Sequence, residues 1–174
     1  KTIGIQAFGN VGRLVGAKAS ALGMKVMAID PFLTPEQINA GGAEPVDSLE
    51  SLYSGSDFVS IHIPATPQTI KSIGYDLVSK MPKGATLINT ARKEVIDEQG
   101  LLKALEERTD LKYATDVAPD NLDEMKEKCG LRVFATPKKM GAQTAEANIN
   151  AGLAAARQIV AFFKDGCTRF QLNK

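Results

Sequence analysis

The sequence has 174 residues, 44% hydrophobic and 24% charged, which suits one soluble globular domain with a proper core and excludes a disordered chain. Lysine plus arginine number 21 against 20 acidic residues, a scattered net charge of +1 that gives no case for nucleic acid or an anionic membrane as partner. Cys129, Cys167 and the single histidine, His62, form neither a disulfide framework nor a zinc spacing, and no apolar run spans a bilayer. The expectation is a protein of the reducing cytoplasm with no metal site.

In chain order, TIGIQAFGNVG (2–12) alternates apolar residues and then turns glycine-rich, which predicts a strand and a tight turn. GRLVGAKASALG (12–23) has small and apolar residues at helical spacing and stops at Gly23; MKVMAID (24–30) is a second strand. Strand, turn, helix and strand within about thirty residues make a βαβ unit. DFVSIHI (57–63) is a strand, YDLVSKM (75–81) a short helix, and GATLINT (84–90) a strand ending at Thr90. DEQGLLKALEER (97–108) is an amphipathic helix. LKYATDV (111–117) and LRVFAT (131–136) are strands, separated by the acidic stretch APDNLDEMKEKCG, and a long helix runs from Gln143 to about Lys164. This alternation predicts an α/β fold, a Rossmann-like, doubly wound parallel sheet in a single domain. In such sheets ligands bind beyond the carboxyl ends of the strands, so the informative residues are those just after them.

Residues 7–12, AFGNVG, are a G-x-G-x-x-G dinucleotide fingerprint with Ala7 in place of the first glycine. Gly9 leaves the backbone bare for a pyrophosphate, Gly12 lets the helix pack closely, and the helix N-terminus offers unpaired N–H groups to phosphate. A methyl at position 7 is tolerated if its dihedrals stay in a region open to L-residues. Asp30 stands eighteen residues past Gly12, where a carboxylate accepts from adenosine ribose hydroxyls and repels a 2′-phosphate. DPFLTPE after the strand supplies no arginine, so the expected cofactor is NAD rather than NADP.

Seven further stretches carry a resemblance: GIQAFGNVGR, VMAIDPF, SIHIPATPQT, MPKGATLINTAR, VIDEQGLLKALEE, ATDVAPD and ATPKKMGAQTAEAN. In these, and in their order, the chain resembles the D-2-hydroxyacid dehydrogenases, and within them the 3-phosphoglycerate dehydrogenases. The resemblance implies an NAD-binding domain over 1–150, with 151–174 as the end of the long helix and a tail leading back to a substrate-facing domain. The family's roughly hundred residues ahead of the glycine turn have no counterpart here. With Lys1 entering a strand at once, the expectation is an excised cofactor domain that binds NAD(H) and does not turn over substrate alone.

The same resemblance implies a cofactor surface made by Phe8, Gly9, Asn10, Val11, Gly12, Asp30, Pro31, His62, Pro64, Thr69, Thr90, Ala91 and Asp116. Arg92, just beyond a strand, matches the family arginine that grips the substrate carboxylate, a task suited to the guanidinium fork. The family pairs a histidine in a Thr-Pro-His segment with an upstream glutamate, and this sequence departs on both counts. TPKKMG has no histidine; alignment on Thr-Pro puts Lys138 at its position, and alignment on MGAQT puts Lys139 there. Asp120 is the nearest carboxylate to the acid's position, where Asn121 stands. His62 reads as a structural histidine near the cofactor. Lys138 or Lys139 is thus the candidate acid–base group. A free lysine titrates near 10.4 and becomes a base at neutral pH only through burial or neighbouring cations, which Arg92 and Lys93 supply if they converge on it.

The expected activity is NAD-dependent oxidation of 3-phosphoglycerate to 3-phosphohydroxypyruvate, toward serine, by a homodimer acting on a phosphorylated 2-hydroxy acid. Two alternatives stand beside it: another D-2-hydroxyacid dehydrogenase such as a glyoxylate or hydroxypyruvate reductase, and a non-catalytic NAD-sensing module.

Overall fold

The computed structural model describes residues 1–138, 141 and 144–173. Residues Lys1–Lys138 form one compact unit and Lys139–Lys174 a second.

The first unit is built on seven parallel strands: β1 (Thr2–Gln6), β2 (Lys25–Ile29), β3 (Glu44–Pro45), β4 (Phe58–Ile61), β5 (Thr86–Asn89), β6 (Lys112–Thr115) and β7 (Val133–Ala135). Their order in the sheet is β3-β2-β1-β4-β5-β6-β7. The chain runs outward from β1 to β2 and β3, then returns to β4 on the other side of β1. That reversal between β1 and β4 is the switch point at which doubly wound sheets open a crevice. Helices α1 (Asn10–Ala21), α2 (Pro35–Ala40), α3 (Leu49–Ser54), α4 (Tyr75–Val78), α5 (Glu98–Glu107) and α6 (Leu122–Cys129) connect the strands.

Alternating strand residues feed two apolar layers, as the pleat requires. Ile3 and Ile5 of β1 and Val26 and Ala28 of β2 pack with Phe8, Ala19 and Ile38 on one face. Met27, Val59, Ile61 and Leu87 pack on the other with Leu52, Leu101, Leu105 and Met125. Both faces are therefore covered, and the strands read as nearly continuous apolar runs.

Three features depart from the sequence reading. The strand expected to end at Thr90 ends at Asn89, and Asp30 and Asp116 each stand one residue past their strands. The acidic stretch before β7 contains α6, whose Met125 and Cys129 are buried while its charged residues face outward. Residues 31–56, to which the sequence assigns no element, hold α2, β3 and α3; helices of six residues carry too few turns for a periodic signal. Their caps were visible nonetheless. In TPEQ the Thr34 hydroxyl accepts the Gln37 N–H and the Gln37 side chain accepts the Thr34 N–H, a capping box.

The second unit is α7 (Ala145–Asp165) and a short tail. Thr144 caps the helix by accepting the Ala147 N–H, and Gly166, in the left-handed region, ends it. None of its described residues is buried.

The turn after β1 carries a correction. Ala7 adopts φ +73°, outside the region expected for it. An alanine there costs about 1–2 kcal/mol. Gly12 explains why the turn is held so tightly, since a Cβ on it would stand 2.4 Å from the Ala7 carbonyl oxygen. Gly12→Ala is expected to destabilise the chain by about 1–3 kcal/mol in urea unfolding, as overpacking does. Ala7→Gly is expected to stabilise it by up to about 1 kcal/mol, the relieved strain exceeding glycine's added freedom in the unfolded chain. A loss of stability in Ala7→Gly would contradict the strain.

Candidate functional site

Because every strand pair is parallel, all seven carboxyl ends lie along one edge of the sheet. Read along the strand order, that edge presents Asp30 after β2, Phe8–Gly12 after β1, His62–Pro64 after β4, Thr90–Arg92 after β5, Asp116 after β6 and Lys138 after β7. Lys139 lies outside the described residues.

The end at β2 is organised by Asp30. One carboxylate oxygen accepts the Phe8 N–H at 2.8 Å and the other accepts the Phe32 N–H at 2.9 Å. The strand-end aspartate thus clamps the glycine turn to the β2 loop. Each oxygen keeps a second acceptor site, so the clamp is compatible with ribose hydroxyls. The Phe8 ring is fully buried beneath the turn and anchors it. Pro31 and the exposed Phe32 follow Asp30 at the rim. An open cleft of about 530 Å³ is lined by Phe8, Gly9, Asn10, Arg13, Asp30 and Phe32.

An adenine dinucleotide fits this end on two observations. A Cβ built on Gly9 meets nothing within 4 Å, so the backbone there faces open space. Gly9 also caps α1 without a side-chain hydrogen bond, and the first turn holds no acidic residue. The N–H groups of Asn10, Val11 and Gly12 and the helix dipole are thus left for an anion.

The middle of the edge is structural in character. His62 donates its N–H to Gln6 O at 2.9 Å, and its ring Nε2 is hydrogen-bonded to the Ser60 hydroxyl at 3.0 Å. Burial pushes its imidazole below the usual histidine range, as the reading of a structural histidine anticipates. The Thr69 hydroxyl donates to Pro64 O at 2.6 Å and accepts the Thr66 N–H at 2.8 Å, which fixes the loop after β4. No group of three or more His, Cys, Asp or Glu among the described residues is placed to hold a metal.

At the β5–β6 end the organising residue is one that the sequence reading missed. Asn89 is fully buried; its amide donates to Arg92 O at 2.9 Å and accepts the Ala91 N–H at 3.0 Å, folding Thr90–Arg92 into a turn. Its own carbonyl accepts the Thr115 hydroxyl at 2.7 Å, tying β6 to that turn. An asparagine opening N-T-A-R after a strand is a local turn signal that was available in the sequence. Arg92 is exposed, its guanidinium anchored by one bond to Ala91 O at 2.8 Å.

Asp120 forms an ion pair with Lys93, which raises the lysine's pKa. Two of the groups expected to act on the acid–base lysine, Lys93 and Asp120, are therefore partners of each other. Glu98, also missed, accepts the N–H groups of Asp120 and Asn121 at 2.9 and 3.2 Å. Asp116 has one carboxylate oxygen, and Asn121 both amide atoms, buried without a hydrogen-bond partner among the described residues. Lys138 is exposed, and its carbonyl accepts the Thr136 hydroxyl at 3.0 Å.

Comparison with known proteins identifies the family. The family model for the D-isomer specific 2-hydroxyacid dehydrogenase NAD binding domain matches residues 1–138. The D-3-phosphoglycerate dehydrogenase of Synechocystis sp. is 38% identical over 160 residues, 91% of this chain and 28% of that protein. The glyoxylate reductase of Thermococcus litoralis is 34% identical over 174 residues, 100% of this chain and 52% of that protein. A crystal structure of 3-phosphoglycerate dehydrogenase from Entamoeba histolytica with NAD+ bound superposes with a TM-score of 0.86 at 46% identity, covering 100% of this chain and 55% of that one. The chain therefore spans about a quarter to about half the length of these relatives.

The His62 environment yields a pH prediction. Its folded pKa is depressed, so the unfolded chain takes up the proton first as pH falls below about 6.5. Stability is therefore expected to decline with falling pH from that point, with no His62 contribution above it. Urea unfolding of His62→Gln should show a shallower decline just below pH 6.5; an unchanged slope would remove the histidine from the account.

Proposed function

The chain belongs to the D-isomer specific 2-hydroxyacid dehydrogenase family and carries its NAD-binding domain, and on that footing we propose that it is the cofactor-holding part of an enzyme that oxidises 3-phosphoglycerate to 3-phosphohydroxypyruvate. What carries the choice of substrate is the likeness to named 3-phosphoglycerate dehydrogenases, which include a solved relative matching the whole chain at 46% identity. A D-2-hydroxyacid dehydrogenase acting on an unphosphorylated acid is the second reading, favoured by a match along the whole of this chain to about half of a glyoxylate reductase.

In this reading Asp30 and Pro31 receive the adenosine ribose, and Phe8–Gly12 with the N-terminus of α1 receive the pyrophosphate. The loops carrying His62, Pro64, Thr69, Thr90, Ala91 and Asp116 form the wall that leads toward the reacting end. NAD supplies the two-electron acceptor when bound. Arg92 lies at the end of an Asn89-built turn, where among the described residues its guanidinium makes one hydrogen bond, which suits its donor fork to a substrate carboxylate. Lys138 or Lys139 takes the hydroxyl proton on oxidation and returns it on reduction. Lys138 is exposed on this unit, so the desolvation that a basic lysine needs comes, in this reading, from a substrate-facing domain. Residues 151–174 lead toward that domain. Asp120 acts through Lys93, fixing the β6 loop against the β5 loop beside Arg92.

A homodimer is part of the proposal, supported by the apolar side chains exposed on α7, among them Ile149, Leu153 and Phe163. A reducing compartment such as the cytoplasm suits the free thiols of Cys129 and Cys167. Among the described residues no helix is long and apolar enough to cross a membrane.

The test is turnover of NADH by the full-length protein with 3-phosphohydroxypyruvate, glyoxylate and hydroxypyruvate in parallel. The proposal expects the phosphorylated acid to give the highest kcat/KM. Either Lys138→Ala or Lys139→Ala should lower kcat by about 10²–10⁴-fold. Preference for glyoxylate would transfer the assignment to the second reading. NADH binding without turnover of any of the three would make the protein an NAD sensor instead.

A further inference from the structure

We infer that Arg13 is a cofactor-selectivity residue set against Asp30, a cation held at the adenosine end of the cleft in a position fitted to a 2′-phosphate. The inference rests on the reading that this cleft holds an adenine dinucleotide. The residues following Asp30, PFLTPE, hold no arginine; the fold brings one from α1 instead.

Arg13 and Asp30 line the same cleft. The guanidinium is held by two contacts, both to Phe8, and lies beside Gly41. Its Nε donates to Phe8 O at 3.1 Å. Its central carbon lies 5.4 Å from the centroid of the Phe8 ring. Its Nη1 lies 3.2 Å from the point where a Cβ on Gly41, at the end of α2, would stand. Phe8 and Gly41 place the charge on the β2–α2 side of the turn, the side of Asp30 and Phe32, and away from β4 and the reacting end.

Phe8 is thus gripped through its N–H by Asp30 and through its carbonyl by Arg13. Among the described residues Nε is the one Arg13 nitrogen with an acceptor, and Arg13 enters no ion pair. The two terminal nitrogens remain as a fork, the geometry that suits a phosphate. The two charges then favour different cofactors. Asp30 accepts from a free ribose 2′-hydroxyl and repels a phosphate there, whereas Arg13 favours the phosphate. Among the residues lining this cleft, Asp30 is the acid that opposes NADP.

The test is fluorescence titration of the chain with NADH and with NADPH, each variant first checked for a cooperative thermal transition. The wild-type chain should bind NADH and prefer it. In Asp30→Asn, and in Asp30→Ser as a second replacement, the affinity for NADPH relative to NADH should rise by about tenfold or more as the like charge is removed. Adding Arg13→Gln to either should return the NADPH-to-NADH affinity ratio most of the way to its wild-type value. A rise that survives Arg13→Gln, or no rise at all, overturns the inference and leaves Arg13 as a clamp on Phe8. Failure of both Asp30 replacements to fold overturns it too, because Asp30 would then be indispensable to the turn. Absence of NADH binding by the wild-type chain is a separate result, which brings down the dinucleotide reading itself.

Discussion

Two N–H···O bonds to one carboxylate, from Phe8 and Phe32 to Asp30, hold together everything that the cleft does at its β2 end. They join the loop leaving β1 to the loop leaving β2, and so fix the turn that presents Gly9 and the first turn of α1. The strain at Ala7 is tolerated because that turn is determined from all sides. Asp30 clamps it, the buried Phe8 ring anchors it, and Gly12 lets α1 pack directly against the Ala7 carbonyl.

The rest of the edge follows the same plan with different residues. At β5 a buried asparagine, not a carboxylate, shapes the turn that carries Arg92. At β6 the loop is secured from outside, by Glu98 on its backbone and by Lys93 on Asp120. Neutral and self-compensated groups build this end, and among the described residues Arg92 stands beside them without an ion pair.

Much of this was legible in the chain because the signals were local. A glycine-rich turn between two apolar runs, with an aspartate after the second, fixes the βαβ unit and the place of the cleft. The six longer strands could be read from apolar runs bounded by turn residues. The two-residue β3 and the six-residue α2 and α3 could not, since too few residues repeat to give a period. Within the site, residues marked by their own place in the chain, such as Asp30 and Gly9, were legible. Those that act by touching something distant in sequence were not. Glu98 meets Asp120 across 22 positions, and Arg13 shares a cleft with Asp30 although each lies on a different element. Ala7 marks the opposite error, where a side chain judged harmless only in ordinary backbone sits in the left-handed region.

The account stands most directly on the bare backbone at Gly9. Its φ and ψ are open to any L-residue, and beyond its chain neighbours no atom of the described residues lies within 4 Å of a Cβ placed there, so a larger side chain would fill the cleft without disturbing the fold. Calorimetric titration of Gly9→Val with NADH, beside a melting curve, separates the two. The account predicts an unchanged melting temperature and loss of NADH binding. A variant that melts normally and binds NADH as tightly as the unaltered chain would contradict it.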